Sequence, residues 1–429
     1  MRSPGCTAGC FPWHGQAASL VARATASRPD RMLDGYKVLD LSGQLGWLAG
    51  RMLADLGADV VKVEPPAAEL DDADWRALNI NKRLLRLDPG SRAGTRVLQR
   101  MFTAADILIE TARPGDPDTA WLAPERVAAI SAELIHVSIT PYGHRGPRAG
   151  WRGSDLEIMA AGGAMALAGE PDGAPLRISV PQACSWAGVH AAAGALTALA
   201  HRTAGGGGQH VDVSAQASVV VALAHAPTFF DLLGEIPSRA GSHITGRTVK
   251  GAVYRAFWPC KDGHINFVIY GGPAGRRTNK ALVAWIRDKG LPLGPLEDLD
   301  WDAFDPKLAS QEEVDRIEAP LAEFFRSITK SEFLEGACAR EMLGYPVSTV
   351  ADIATDPQLE ARHFWQDLTL HDGGSERHCG SFYVVDGLRP GVRNPAAAAN
   401  AGSAAILEDY GFSAEEITAF RSHDEEVAA

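Results

Sequence analysis

Short aliphatic runs alternate with helix-like segments through the first half of this 429-residue chain, and this alternation limits the fold more than any other feature. The runs with strand character are residues 37–39, 60–63, 107–109 and 135–138. Apolar residues recur with helical spacing at residues 48–56, 94–102 and 125–132. Because strands that alternate with helices are typical of βαβ units, we expect an α/β fold built around a parallel sheet.

The character of the sequence changes near residue 234. Helical patterns before that point cover residues 154–167, 185–202 and 214–233, with one more strand at 210–213. Residues 253–259 and 264–269 then predict a β-hairpin that turns at Lys261, Asp262 and Gly263, which is typical of a smaller α+β domain. We therefore predict a disordered tail at 1–34, a large domain at 35–233, a small domain at 234–330 and a segment at 331–429 that returns to the large domain.

Composition excludes several classes of protein. The formal net charge of −12 argues against sequence-independent binding of nucleic acid, whose phosphates require an excess of Lys and Arg. The longest apolar tract, residues 187–200, is short of the roughly 20 residues that a bilayer requires. The six cysteines form no CxxC pair and no zinc-type cluster. We expect a cytoplasmic protein with no metal and no membrane or nucleic-acid partner.

A set of motifs occurs in a fixed order along the chain. They are L-A-D-L-G-A-D-V-V-K-V-E-P-P from Leu53, N-I-N-K-R from Asn79, E-T-A-R-P-G from Glu110, S-I-T-P-Y-G-H-R-G-P from Ser138, G-S-D-L-E-I-M-A from Gly153 and A-T-D-P-Q-L-E-A-R from Ala354. Together they resemble the family III CoA-transferases, also called the CaiB/BaiF group. The resemblance covers nearly the whole chain after residue 34.

The resemblance implies a large Rossmann-like domain, a small domain and a dimer of two interlocked chains. It also implies that CoA, bound as a substrate thioester, lies on the large domain. In this family an aspartate near the start of a long helix attacks the acyl thioester and forms a mixed anhydride. CoA then passes through an aspartyl thioester to the acceptor acid, so one difficult exchange becomes several easier steps.

The chain departs from this pattern at the nucleophile. Where the family has V-G-V-P-x-x-D-x-x-x-G, residues 178–188 read I-S-V-P-Q-A-C-S-W-A-G, so Cys184 occupies the place of the aspartate. No Asp or Glu occurs between Asp172 and Asp212. A thiolate near a helix N-terminus is a good nucleophile, although its product is an enzyme thioester that returning CoA can only reverse. Alternatively, Cys184 is a small buried residue that packs beneath the helix.

Asp155 matches an acidic position that some family members place near the reacting thioester. It is a candidate for orienting the substrate or exchanging a proton, and the alternative is a helix N-terminal acid that the dipole favours. The racemase branch of the family has a histidine where this chain has Ser154. Racemisation requires an acid or base on each face of the substrate, and the usual aspartate is missing here, so that activity is disfavoured.

The resemblance also assigns residues to the cofactor and to a mobile loop. The CoA-binding positions are Lys82, Arg83, Leu87, Arg113 and Arg152, of which the cations suit the phosphates. Gly271, Gly272 and Gly275 correspond to a glycine-rich loop over the active site, and an ordinary loop after a strand is the alternative.

Three functional hypotheses follow. The first is an enzyme that transfers CoA or an acyl group between an acyl-CoA and a carboxylic acid, as a homodimer or a heterodimer with a related chain. The second is a catalytically silent CoA-binding subunit whose partner supplies the aspartate. The third is an acyl-CoA racemase or isomerase, which the missing aspartate disfavours.

Overall fold

A computed structural model describes residues 31–70, 72–246, 248–370, 373–398 and 402–419. The chain forms two compact units. The sheet unit comprises the segments up to Gly153, Ala183–Ser218 and from His363 onward, and the second unit comprises Ser154–Gln182 and Val219–Arg362. Along the chain the two units alternate at 153/154, 182/183, 218/219 and 362/363. The domain boundaries at residues 234 and 331 stay predictions. Residues 1–30 of the predicted tail lie outside the described residues.

A parallel sheet of six strands forms the centre of the sheet unit, so the α/β prediction is confirmed. The strands are β1 (Lys37–Leu41), β2 (Asp59–Glu64), β3 (Arg83–Arg86), β4 (Ile107–Glu110), β5 (Ile135–Thr140) and β6 (His210–Ser214). Their spatial order is β3-β2-β1-β4-β5-β6, and every neighbouring pair is parallel. This is the doubly wound order of dinucleotide-binding folds, in which the strand sequence reverses between β1 and β4.

Helices cover the sheet. Those up to the second unit are α1 (Trp47–Asp55), α2 (Ala73–Leu78), α3 (Arg92–Met101) and α4 (Pro124–Ile130), with a 3-10 turn at Pro117–Leu122. Leu39, Leu85, Leu98, Phe102 and Leu108 are fully buried in one continuous core. Leucine and phenylalanine at these positions explain why the helices with amphipathic spacing dock on the sheet, since burying such side chains supplies most of the driving force.

The alanine-rich helix α6 (Ala183–Thr203) packs on β5, β6 and α1. Ala187, Ala191 and Ala195 are buried with at most 1% exposure, and small side chains allow this close approach. Its length and composition would suffice to cross a bilayer, but half of its most apolar stretch is buried inside the structure. It therefore has the burial of a core helix.

The second unit has mixed structure around an aromatic core. Its helices are α5 (Asp155–Ala161), α7 (Ala215–Ala222, which begins in the sheet unit), α8 (His225–Leu233), α9 (Gly272–Asp288), α10 (Gln311–Arg326), α11 (Lys330–Ala339), α12 (Val350–Ala354) and α13 (Pro357–Ala361). Its strands are β7 (His243–Ile244), β8 (Tyr254–Arg255), β9 (Phe257–Cys260), β10 (Gly263–Asn266) and β11 (Tyr345–Pro346). The predicted hairpin is present as the antiparallel pair β9 and β10. Trp258, Phe267, Phe324, Phe325 and Phe333 are fully buried at the centre.

The chain then returns to the sheet unit with β12 (Trp365–Thr369), β13 (Ser375–Cys379) and α14 (Ala404–Asp409). Ile406 and Leu407 of α14 join the core on the sheet.

Two predicted helices are shorter than the sequence pattern indicates. The pattern at 154–167 gives α5 and a separate 3-10 turn at Met165–Leu167, because Gly163 has a φ of +85° and ends the helix. The pattern at 214–233 gives two helices, α7 and α8. Apolar spacing alone therefore missed both breaks.

Candidate active site

The carboxyl ends of β1 and β4 form the point where the strand order reverses. The backbone N–H of Gly43, just after β1, donates to Thr111 Oγ1, just after β4, over 2.9 Å. In open α/β sheets a crevice forms beyond the strand ends at this position, and ligands bind there. A cofactor site is therefore expected at this edge of the sheet.

A cavity of 360 Å³ lies in the loop that follows β4, and we call it the Arg113 cavity. Its lining runs from Glu110 to Arg126 and includes His144. Arg113 Nη2 lies 2.7 Å from Asp116 Oδ2. The hydrogen bond from Arg113 is the main reason that the pKa of Asp116 lies below its usual value, and Arg152 also lowers it. Two cations therefore stand close together beside a cavity that is large enough for part of a small-molecule ligand.

Lys82, a predicted CoA contact, is buried in a polar cluster just before the edge strand β3. Its ammonium donates to Asp40 Oδ2 at 2.8 Å, Trp47 O at 2.8 Å and Asn79 Oδ1 at 2.7 Å. These three bonds use all the N–H donors of a lysine. Burial lowers the pKa of Lys82 to about 8, and the Asp40 carboxylate opposes that shift. In this structure the ammonium holds the turn after β1 in place.

The other predicted CoA contacts of the sheet unit differ in exposure. Arg83 is half-buried on the edge strand β3 and pairs with Asp59 at 3.0 Å and Asp409 at 2.7 Å. Leu87 is fully buried in the core of the sheet unit. Arg152 is exposed. Of the five predicted residues, Arg113 and Arg152 present charge to the Arg113 cavity or its neighbourhood, and a contact with CoA stays a prediction for all five.

Cys184 is the second residue of α6 and is buried, with 9% exposure. The helix begins at Ala183 because Pro181 lies just before it and a long alanine-rich sequence follows. Cys184 therefore lies in the first turn of the helix, where the helix dipole favours the negatively charged thiolate. Its role as a nucleophile stays a prediction.

Asp155 is the first residue of α5 in the second unit. Ser154 and Glu157 form a capping box at the start of this helix. The hydrogen bonds from Ser154 keep the pKa of Glu157 below its usual value. Asp155 thus lies in the first turn of a helix beside a second acid, as expected for an acid that the helix dipole favours. Its catalytic role stays a prediction.

The three glycines of the predicted loop lie at the start of helix α9. Gly271 precedes the helix, while Gly272, with a φ of +71°, and Gly275 lie inside its first turns. A Cβ atom on Gly275 would come within 2.5 Å of the Tyr270 backbone, so glycine is required for the helix to pack there. Gly271 and Gly272 also line a cavity of 610 Å³ in the second unit.

A second polar cluster was missed by the sequence analysis. His136 Nε2 lies 3.2 Å from Glu110 Oε1 and 3.3 Å from Ser138 Oγ, which in turn lies 2.9 Å from His210 Nε2. The His144 and His210 rings are 5.0 Å apart. The sequence signal was the alternation of His136 and Ser138 with isoleucine and valine along a buried strand, since alternate residues of a strand share a face.

Among the described residues, no group of three or more His, Cys, Asp and Glu side chains is arranged to hold a metal ion. The absence of a metal from the protein stays a prediction.

Comparison with known proteins gives a consistent match. A family model described as CoA-transferase family III matches residues 33–400, a range that spans both units. The chain is 32% identical to the succinyl-CoA:(R)-benzylsuccinate CoA-transferase subunit BbsE of Thauera aromatica, over 77% of this chain and 82% of that protein. It is 27% identical to the succinate–glutarate CoA-transferase of Agrobacterium fabrum, over 85% and 88% of the two chains.

The fold also matches solved structures. A CaiB/BaiF family protein from Brucella suis superimposes with a TM-score of 0.75 and 27% identity, covering 88% of this chain and 99% of that one.

Proposed function

Since this chain belongs to CoA-transferase family III, we propose that it transfers CoA or an acyl group between an acyl-CoA thioester and an acceptor carboxylic acid. The observation that carries the proposal is the match of the family model to residues 33–400. The doubly wound sheet supports it, because the β1–β4 edge is where such folds bind cofactors.

CoA binds in this proposal at the carboxyl edge of the sheet, with its phosphates near Arg113 and Arg152. A guanidinium forms strong, charge-assisted bonds to phosphate oxygens, and Asp116 holds Arg113 in place over 2.7 Å until the ligand arrives. Lys82 contributes indirectly, because its three bonds fix the turn after β1. CoA takes part in this proposal as the substrate thioester and as the released thiol, and no metal takes part in it.

The acid in this proposal is a dicarboxylic acid. The succinyl group of succinyl-CoA and benzylsuccinate stand in the name of one relative, and succinate and glutarate in the name of another. All of these acids have a second carboxylate that does not react. Because all of these acids have this second charged group, we infer that the enzyme recognises the carboxylate that does not react.

Cys184 is the candidate nucleophile for the acyl-transfer form of the proposal, and not for transfer of CoA itself. Its thiolate attacks the carbonyl carbon of the acyl-CoA, the bond from that carbon to the CoA sulfur breaks, and the products are an acyl-enzyme thioester and CoA. The first turn of α6 favours the thiolate form. An aspartate at this position would form an anhydride instead, which is what transfer of CoA itself requires.

Intact-protein mass spectrometry tests this step. Incubation with succinyl-CoA is expected to add one succinyl mass to the wild-type chain, and Cys184→Ala is expected to abolish the adduct. Cys379→Ala is the matched control, because Cys379 is an exposed thiol and its loss leaves the adduct intact. A Cys184→Asp variant is expected to form glutaryl-CoA from succinyl-CoA and glutarate. Absence of an adduct across a panel of acyl-CoA esters would contradict nucleophilic catalysis at Cys184.

A second candidate function is a CoA-binding subunit whose partner chain supplies the aspartate. The relative with 32% identity is itself named as a subunit, which favours this alternative. Helix α8 and the residues after it also expose large apolar side chains, with Phe230 at 57%, Leu232 at 73% and Ile236 at 80% exposure. A surface of this kind is typical of contact with another chain. A chain that binds CoA but gains no adduct would fit this function.

A further inference from the structure

The 610 Å³ cavity of the second unit, which we call the Tyr270 cavity, has an aromatic wall and a charged rim. Its apolar wall includes Tyr254, Tyr270 and Phe304, together with Val268 and Ile269. Tyr254 is fixed there, because its hydroxyl donates to Pro306 O over 2.8 Å. A wall of this type binds carbon chains and rings by contact and by exclusion of water.

The rim of the cavity has charged residues of both signs. Arg276 and Lys307 line the cavity, as do Asp302 and Asp305. Lys280 Nζ already lies 2.6 Å from Asp302 Oδ2, and Asp305 accepts a hydrogen bond from the Lys307 backbone. The hydrogen bond from Lys280 keeps the pKa of Asp302 below its usual value. The lining itself has two cations and two carboxylates. Because Lys280, which lies outside the lining, pairs with Asp302, an anionic ligand beside Arg276 meets no excess of negative charge.

Arg276 is the cation best placed to bind that anion. It lies in the second turn of α9 and is half-buried, and its Nη1 donates to the backbone oxygen of Asp302 over 3.2 Å. This bond orients the guanidinium and uses one of its five N–H donors. A guanidinium matches a carboxylate with two parallel hydrogen bonds, which an exposed lysine does not provide.

We propose that the Tyr270 cavity binds a dicarboxylic acid, with Arg276 as the specificity-determining residue for one of its two carboxylates. The aromatic wall takes the carbon chain or ring between the two carboxylates. This inference rests on the proposed function for the identity of the ligand, and on the lining of the cavity for its location. We therefore expect the Arg276 side chain to determine whether a dicarboxylic acid binds more tightly than a monocarboxylic acid.

Calorimetric titration with glutarate and with valerate tests the proposal, because the two acids have the same number of carbons and differ in the second carboxylate. Arg276→Met is expected to weaken glutarate binding about tenfold to a hundredfold, as for loss of a charged hydrogen bond, and to leave valerate unchanged. Arg276→Lys retains the charge and should recover part of the affinity. The control is Arg277→Met, since Arg277 is the next residue, is 64% exposed and pairs with Glu341 at 3.1 Å.

Titration of the same variants with CoA separates this inference from the proposed function. CoA affinity is expected to be equal in wild type, Arg276→Met and Arg277→Met, which also verifies that the variants are folded. Equal glutarate binding by wild type and Arg276→Met would overturn the assignment of Arg276. A wild type that binds CoA but no dicarboxylic acid would overturn the assignment of the cavity, and one that binds neither would overturn the proposed function as well.

Discussion

Two polar clusters lie on the sheet unit, and they differ in how completely their groups are paired. The first joins Lys82 to Asp40 and Asn79, and Lys62 to the backbone oxygen of Ser42 and the carboxylate of Glu64. Asp40 is fully buried, and although burial acts to raise the pKa of its carboxyl, Lys82 and Lys62 hold that pKa below its usual value. Every charge of this cluster therefore has a partner of opposite sign.

The second cluster joins Glu110, His136, Ser138 and His210 on adjacent strands. Within the part of the chain that the structure describes, His136 Nδ1 and His144 Nε2 are buried without a hydrogen-bond partner. Glu110 and His144 also line the Arg113 cavity, which the first cluster does not reach. A cluster with open hydrogen-bonding capacity beside a cavity has the character of a site, whereas a closed cluster stabilises the fold.

Replacement of Lys82, the central cation of the first cluster, is the strongest test that this cluster stabilises the fold. Lys82→Met is expected to lower the free energy of unfolding by about 3–5 kcal/mol, because it leaves the Asp40 carboxylate buried without its partner. Urea unfolding measures the change. A double variant with Asp40→Asn should recover much of the loss, since no buried charge is then unpaired. A stable Lys82→Met protein with weakened CoA binding would instead make Lys82 a ligand contact.

The second cluster is expected to make stability depend on pH, with a smaller effect. Burial and then the neighbouring His136 and His144 lower the pKa of His210 from 6.5 to about 4. The unfolded chain therefore binds a proton between about pH 6.5 and 4 that the folded chain does not, so stability falls as the pH falls through this range. His210 is partly exposed, and solvent reduces the magnitude.

Unfolding free energies at pH 7.5 and 5.0, measured for the wild type and His210→Asn, test the pH effect. The variant is expected to lose less stability than the wild type on acidification. If both proteins lost the same free energy of unfolding, the titrating group would not be His210. The second cluster would then not differ from the first in its pH dependence.

The sheet was predictable from the sequence because its inner strands are buried on both faces and consist largely of aliphatic residues, as residues 107–109 show. The place of Cys184 in the first turn of a long helix was predictable for a similar local reason, since a proline precedes an alanine-rich run. The helix break at Gly163 was not, because apolar spacing continues across it.

The environment of each charge was not predictable. Lys82 and Arg113 both lie in motifs that resemble a CoA site, yet one is enclosed and the other faces a cavity. The difference arises from Asp40, which is 42 residues away in sequence and 2.8 Å away in space. A sequence shows that a residue is charged, whereas its role depends on partners that only the fold brings together.

Calorimetric titration with CoA is the most direct test of whether this chain binds CoA at the carboxyl edge of its sheet. The wild type is expected to bind, and Arg113→Ala should bind about tenfold more weakly through loss of a charge-assisted bond. Arg96→Ala removes an exposed arginine of α3 and should bind as the wild type does. Absence of heat and of competition by any CoA ester at millimolar concentration would contradict the account, as would equal weakening by both substitutions.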